Sequence, residues 1–153
     1  MNTVLFTAAP FGKIGIVSNG EAITRVLFSA AALPENCLLG KKNALLLDAE
    51  AQLQEYFHGE RKRFSVPLFY EGTDFQQVVW SALRNIPYGT TCSYSDLAKA
   101  IGNEKAMRAV GLANNKNPLP IFIPCHRVIG KNGSLTGYAG GLDVKKYLLN
   151  IEK

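Results

Sequence analysis

The sequence predicts an α+β protein in two parts, a small β-sheet with one helix and then a mostly helical second half. Three observations predict it. Residues 4–28 are β-prone runs separated by turn residues. From Phe75 onward, apolar residues recur at helical spacing. Charge also divides the chain, since residues 1–74 hold 7 Lys/Arg against 8 Asp/Glu and residues 75–153 hold 10 against 4. Pro67 to Asp74, with Pro, Gly and Thr, marks the boundary and gives expected domains at 1–70 and 71–153. A chain of 153 residues has room for two small domains.

Val4-Leu5-Phe6-Thr7-Ala8 is expected as the first strand. Ile14–Val17 and Ala22–Phe28 flank Ser18-Asn19-Gly20-Glu21, and Asn-Gly is a strong hairpin signal because it tolerates positive φ. A loop with Pro34, Asn36 and Gly40 follows. Asn43 to His58 is expected as a helix, with Leu46, Ala49, Leu53 and Phe57 on one face and Gly59 just past its end. Arg61-Lys62-Arg63 is expected on solvated surface. Phe64-Ser65-Val66-Pro67-Leu68 is expected as a last strand.

In the second half Phe75, Val78, Val79, Ala82 and Ile86 form one apolar stripe, capped by Thr73 or Asp74 and ended at Pro87 and Gly89. Trp80 lies off that stripe and is expected to do no more than pack against a neighbour. Ser93-Tyr94-Ser95-Asp96 is a capping sequence for a helix through Leu97 to Gly102. Asn103 is expected to cap a second helix, Glu104 to about Asn115. Helix, short turn, helix is the outline of a helix-turn-helix. On the second helix Ala106, Ala109, Val110 and Ala113 are expected inward, with Lys105, Arg108, Leu112 and Asn115 on the other face. Ala109, Gly111 and Ala113 leave a low surface that can approach a groove wall. Lys131 to Ser134 is a turn. Thr136-Gly137-Tyr138-Ala139-Gly140-Gly141 lacks the Lys-Ser/Thr of a phosphate loop and suggests backbone lining a tight, flat pocket. Val144 to Glu152 is a terminal helix with Val144, Tyr147, Leu148 and Ile151 inward.

Composition excludes several classes. Hydrophobic residues make up 47% and charged residues 19%, which is globular and soluble. No apolar run is long enough to span a bilayer, and Met1 to Pro10 has no basic segment before its apolar residues, so a cytoplasmic protein is expected. Cys37, Cys92 and Cys125 form no CxxC pair, and the histidines are His58 and His126. Neither a disulfide framework nor a metal site is expected, and no cofactor. The positive charge of the second half suits a polyanionic partner.

The stretch with the most chemistry is Ile121-Phe122-Ile123-Pro124-Cys125-His126-Arg127-Val128-Ile129. It has strand character up to Pro124, which breaks the ladder. A Cys at such a break sits at a strand end or the start of a turn, where it can face a cleft. The neighbouring ring and guanidinium could favour its thiolate. His126 is the natural base, linked to Cys125 through a water. An acid must orient the imidazole, and Asp96, Glu104, Asp143 and Glu152 are the candidates.

Several motifs agree in order with one family. Phe75-Gln76-Gln77-Val78-Val79-Trp80, Tyr94, Met107-Arg108-Ala109-Val110-Gly111, Asn117-Pro118, Pro124-Cys125-His126-Arg127-Val128, Tyr138-Ala139-Gly140-Gly141-Leu142 and Glu152 resemble the O6-alkylguanine-DNA alkyltransferases, also called methylated-DNA–protein-cysteine methyltransferases. Residues 75–153 resemble the catalytic domain throughout. Residues 1–74 resemble the family's variable N-terminal domain in outline, a ribonuclease H-like sheet and helix, and the resemblance makes the second half winged-helix-like.

The resemblance implies suicide repair of double-stranded DNA. An alkyl group passes from O6-alkylguanine, and from O4-alkylthymine, to Cys125. It implies minor-groove binding by the helix-turn-helix, with Arg108 as the finger that replaces the extruded base and Tyr94 acting on the flanking phosphate and as proton donor. Asn103, Lys105, Ala109, Gly111, Asn115 and Arg127 are further DNA contacts. The flipped base would lie among Met107, Val128, Tyr138, Ala139 and Gly140, its amine read by backbone groups of Cys125 and Val128 and its O6 by the Ala139 N–H. Glu152, His126 and a water would activate Cys125, and Asn117 would brace its turn. Some members carry Ser where this chain has Ala139, which puts substrate range in question, and some bind zinc with residues that this chain lacks. A monomer is expected, with cooperative loading on DNA left open. The rival readings are a non-catalytic sensor of alkylation lesions, a cysteine hydrolase and a plain transcription factor. Cys125 argues against the first, and the helix-turn-helix against the second.

Overall fold

The computed structural model describes residues 2–39 and 43–153. The chain divides into two compact units, Met1–Tyr70 and Glu71–Lys153.

Among the described residues, the first unit is a four-stranded sheet with one α-helix. Strands β1 (Asn2–Ala9), β2 (Gly12–Ser18), β3 (Ile23–Leu27) and β4 (Cys37–Leu39) are ordered β3-β2-β1-β4. β1 and β2 pair antiparallel, Thr3 opposite Ser18 and Ala9 opposite Gly12, and β4 joins β1 in parallel. The Asn-Gly hairpin forms between β2 and β3, with Asn19 Oδ1 accepting from the N–H groups of Glu21 and Ala22. Helix α1 (Ala44–Phe57) lies against β1 and β2. Asn43 caps it by accepting from Leu46 N–H at 2.8 Å, worth about 1 kcal/mol against Ala. Leu46, Ala49, Leu53 and Phe57 are all buried, as their spacing predicts. Val4, Val17 and Leu27 close a core on one face of the sheet.

Two expectations change here. The stretch after β3 is not a plain loop, because it holds a 3₁₀ turn (Ala30–Ala32) and β4, while Gly40 lies outside the described residues. The stretch Phe64 to Leu68 forms no strand. It touches the sheet through one bridge, Ile23 to Leu68, and Pro67 has no N–H to extend it.

The second unit holds helices α2 (Asp74–Leu83), α3 (Tyr94–Ala100), α4 (Met107–Asn115) and α5 (Leu142–Ile151), with a parallel pair of short strands, β5 (Cys92–Ser93) and β6 (Val128–Ile129). Capping boxes start α2 at Thr73 with Gln76 and α3 at Ser93 with Asp96. The buried face of α2 is Val79, Trp80 and Leu83, and Val78 is exposed. Trp80 is therefore core, and its indole N–H donates to Ala113 O on α4 at 2.8 Å. The second helix of the helix-turn-helix starts later than predicted. Asn103 is not its cap, since residues 103–106 form a turn and the helix begins after Ala106 without a side-chain cap. Ala109 is exposed, and Val110, Ala113 and Asn114 face inward.

Ile121 to Pro124 is not a strand either. Ile121 takes φ +78°, a strained value for a β-branched residue, in a tight turn closed by Ile123 N–H on Leu119 O at 2.8 Å. Asn117 holds that turn from inside, donating to Ile123 O at 2.8 Å and accepting from Leu119 N–H at 2.9 Å.

Candidate active site

Cys125 opens a single 3₁₀ turn, Cys125–Arg127, and all three side chains are buried. So tight a turn sends consecutive side chains in different directions. His126 is fully buried, and its Nε2 meets Glu152 Oε2 at 2.6 Å. Arg127 grips the same carboxylate, Nε to Oε1 at 2.8 Å and one terminal nitrogen to Oε2 at 3.0 Å. Its other terminal nitrogen donates to Ile86 O at 2.7 Å, and the guanidinium lies 5.7 Å from the centre of the Tyr88 ring. Gly89 N–H adds a contact to Glu152 Oε1 at 3.3 Å. Gly89 has φ +79°, and a Cβ there would come within 3.0 Å of Glu152 O, so only glycine fits without strain. A carboxylate at the end of α5 opposes the helix dipole. The Arg127 guanidinium supplies the positive partner that holds it there, and the His126 ring adds a hydrogen bond.

The structure brings Glu152 to His126 and leaves the other three acids elsewhere. Asp96 caps α3, and Glu104 and Asp143 are exposed. Arg127 does not stand where a DNA contact needs it. It is 7% exposed and spends its donors on Glu152 and Ile86, so that expectation is corrected.

Burial dominates the electrostatics. Desolvation pushes the Cys125 thiol up to about 11, against the downward pull of the Asn117 side chain and of the Lys145 ammonium. The sequence neighbours therefore do not make a resting thiolate, and the cation acting on the sulfur is Lys145. Desolvation also lowers the His126 pKa, against the upward effect of Glu152, so the ring is neutral at pH 7. Lys145, fully buried on α5, donates to Val128 O at 2.6 Å and Thr136 O at 2.7 Å. It ties the reactive turn to the Gly-rich loop, and desolvation lowers its pKa.

Two hollows flank α4. A narrow one, with no room for a free water, is lined by Asn114, Asn117, Cys125, Tyr138 and Ala139 among others. An open cleft of about 440 Å³ is lined by Tyr94, Met107, Arg108, Gly111, Asn115 and Thr136 among others. Asn115 and Gly137 border both. Of the predicted pocket residues, Tyr138 and Ala139 sit with Cys125 and Met107 faces the outer cleft. Val128 is wholly buried behind, and Gly140 lines neither hollow. The Tyr94 hydroxyl meets Thr136 Oγ1 at 3.0 Å. Asn103, Lys105 and Ala109 are exposed at and before the start of α4. Among the described residues no group of three or more His, Cys, Asp or Glu side chains could hold a metal ion.

Lys145 and Asn114 escaped the sequence reading. Lys145 carried no signal, because a lysine beside an apolar stripe normally reaches water. Asn114 carried one, since it shares the inward spacing of Val110 and Ala113.

A thiol sealed beside a His–Glu relay, behind a helix-turn-helix, defines a class, cysteine-based proteins that act on nucleic acid. The comparisons narrow it. The DNA-binding domain of 6-O-methylguanine DNA methyltransferase matches residues 74–153, and the ribonuclease-like domain of the same family matches residues 5–70. The constitutive methylated-DNA–protein-cysteine methyltransferase of Bacillus subtilis is 50% identical, covering 100% of this chain and 96% of that protein. The Methanosarcina acetivorans methylated-DNA–protein-cysteine methyltransferase is 49% identical, covering 94% of each. The crystal structure of Mycobacterium tuberculosis O6-methylguanine methyltransferase superposes with a TM-score of 0.92 at 42% identity, covering 100% of this chain and 93% of that one. Mycobacterium tuberculosis OGT in complex with DNA gives 0.90 at 42% identity, covering 99% and 92%. The chain belongs to the 6-O-methylguanine DNA methyltransferase family.

Proposed function

We propose that the protein repairs DNA by taking the alkyl group of O6-alkylguanine onto Cys125, once per molecule. The observation that carries this is the sealed Cys125 thiol beside the His126–Glu152 pair, held at 2.6 Å. Its relatives are named for the same activity.

The exposed side of α4 enters the minor groove of duplex DNA. Arg108 takes the place of the extruded base, with Asn103, Lys105, Ala109, Gly111 and Asn115 along the contact and Tyr94 at the flanking phosphate. The base moves past the cleft into the narrow hollow, which widens to admit it. Met107, Tyr138, Ala139 and Gly140 surround it, and the Ala139 N–H faces O6. His126 neutral and Glu152 ionised form a relay ready to take the thiol proton through a water. Sulfur then attacks the alkyl carbon. One S–C bond forms and one C–O bond breaks. The proton lost by sulfur stays with the relay, Tyr94 delivers one to the leaving guanine, and exchange with solvent resets both. A thioether has no hydrolytic exit, so the protein is spent. Arg127 braces Glu152, and Asn117 braces the turn. The protein acts as a monomer in the cytoplasm, Met1 to Tyr70 serving as support and Glu71 to Lys153 as the DNA-binding alkyltransferase part. O4-alkylthymine is a second substrate of the same site.

The test is mass spectrometry of intact protein and peptides after incubation with duplex DNA carrying O6-methylguanine, with Cys125→Ser alongside. One added methyl on the Cys125 peptide, absent from the variant, is expected. Tight lesion binding without an adduct would replace this reading with the lesion sensor.

A further inference from the structure

Asn114 is a buried amide that the mechanism above does not use. It is 2% exposed on α4 and lines the narrow hollow with Cys125, Tyr138 and Ala139. Its two ends differ. Nδ2 donates to Cys125 O at 3.4 Å, which sets the amide's direction, because the reverse would face two oxygens. Oδ1 accepts no hydrogen bond from any described residue. The hollow leaves no room for a water to serve it. Asn117, in the same wall, has both ends engaged. A dry acceptor without a donor is unfavourable, and such atoms call for a partner that arrives from elsewhere.

The chemistry of the substrate identifies that partner. Alkylation at O6 removes the N1 hydrogen of guanine, and O6, N3 and N7 are acceptors. The 2-amino group is the one N–H donor left on the base ring edge. O4-alkylated thymine has lost its N3 hydrogen and offers no N–H donor. The carbonyl expected to share the amine with Cys125, that of Val128, already faces the Lys145 ammonium at 2.6 Å. Asn114 Oδ1 belongs to the same amide whose Nδ2 holds Cys125 O, so neighbouring groups in one wall of the hollow offer two acceptors for the two amine hydrogens.

We infer that Asn114 is a specificity-determining residue whose Oδ1 accepts from the 2-amino group of the flipped guanine and so favours O6-alkylguanine over O4-alkylthymine. This rests on the reading of Cys125 as alkyl acceptor. The test compares single-turnover methyl transfer to Cys125 from duplexes carrying O6-methylguanine, O6-methylhypoxanthine, which lacks only the amine, or O4-methylthymine. Wild type, Asn114→Leu and Asn114→Ala are each measured. Wild type should prefer O6-methylguanine to O6-methylhypoxanthine by about tenfold or more. In both variants that ratio should fall several-fold, with Cys125 O left as the one acceptor for the amine, and the guanine-to-thymine ratio should fall with it. Each ratio is internal to one protein, so damage to folding lowers both rates and leaves it unchanged. A wild-type ratio near one, or an unchanged ratio in both variants, would overturn the inference. No methyl on wild-type Cys125 from any duplex would overturn the transfer reading itself, and the inference with it.

Discussion

Two arginines of the second unit, Arg108 and Arg127, read alike in sequence and end in opposite places. Arg108 stands exposed on α4 and lines the open cleft. Arg127 is buried, grips Glu152 through two nitrogens and reaches Ile86 O with a third. A cation on a helix face meets the partner, whereas a cation inside a tight turn next to the nucleophile holds the machinery. The guanidinium suits the second task because its fixed fork matches a carboxylate and stays charged when buried.

The largest effect should come from breaking the buried side. Glu152→Gln removes the negative charge that His126 and Arg127 share, turns one of its two acceptor oxygens into a donor, and leaves Arg127 as an uncompensated buried charge. Loss of one partner of such a pair costs about 3–5 kcal/mol, so urea denaturation should show a drop of that size, and transfer should nearly stop. Adding Arg127→Met removes the stranded charge. The double variant should regain much of the stability and none of the transfer. Recovery of both would reduce Glu152 to a brace with no part in the relay.

Alkaline titration comes next. Cys125 keeps its proton up to about 11 in the folded protein, while an unfolded thiol loses it near its ordinary value. Between those values the unfolded chain binds fewer protons, so stability falls as pH rises through the window, and the contribution is whole below it. The loss should reach about 2–3 kcal/mol, read as unfolding free energy against pH. Cys125→Ala should flatten the curve. A curve of the same slope in the variant would place the titration in another group.

The exposed arginine should respond to the substrate rather than to denaturant. Arg108→Ala should slow repair in duplex DNA by roughly 10- to 100-fold, since extruding a base costs a few kcal/mol. Transfer from free O6-benzylguanine, which needs no extrusion, should change little, and so should the melting temperature. Equal loss on both substrates would put Arg108 inside the chemistry.

The two arginines also mark how far the sequence could be read. Hairpin, capping boxes and helix faces were legible because local chemistry decides them: Asn19-Gly20 turns, Asn43 caps α1, Ser93 and Asp96 close on each other. The reactive segment was legible as residue types in order. The destinations of Arg127 and Lys145 and the hydrogen-bond partner of Trp80 were not, because a long side chain gives no sign of whether it reaches water or a carbonyl from another element. The strained Ile121 and the late start of α4 are tertiary outcomes that overrode an apolar run and a plausible cap at Asn103.

The smallest effect should fall between the two regions, at Ala139. It is exposed at the mouth of the narrow hollow, where it lines the same wall as Cys125. Its backbone N–H can face O6 whatever the side chain. Ala139→Ser adds a hydroxyl donor beside that N–H, and one more neutral hydrogen bond is worth about 0.5–1.5 kcal/mol. Single-turnover transfer from O6-methylguanine should therefore rise about 2- to 10-fold, with no gain in DNA affinity, because the added contact exists only once the base has been flipped. A gain in affinity for undamaged duplex would mean that the serine faces the backbone of the DNA and not the base. A slower transfer would mean that the hollow around Cys125 is already filled by the base and its alkyl group, and that alanine here fits the substrate by size.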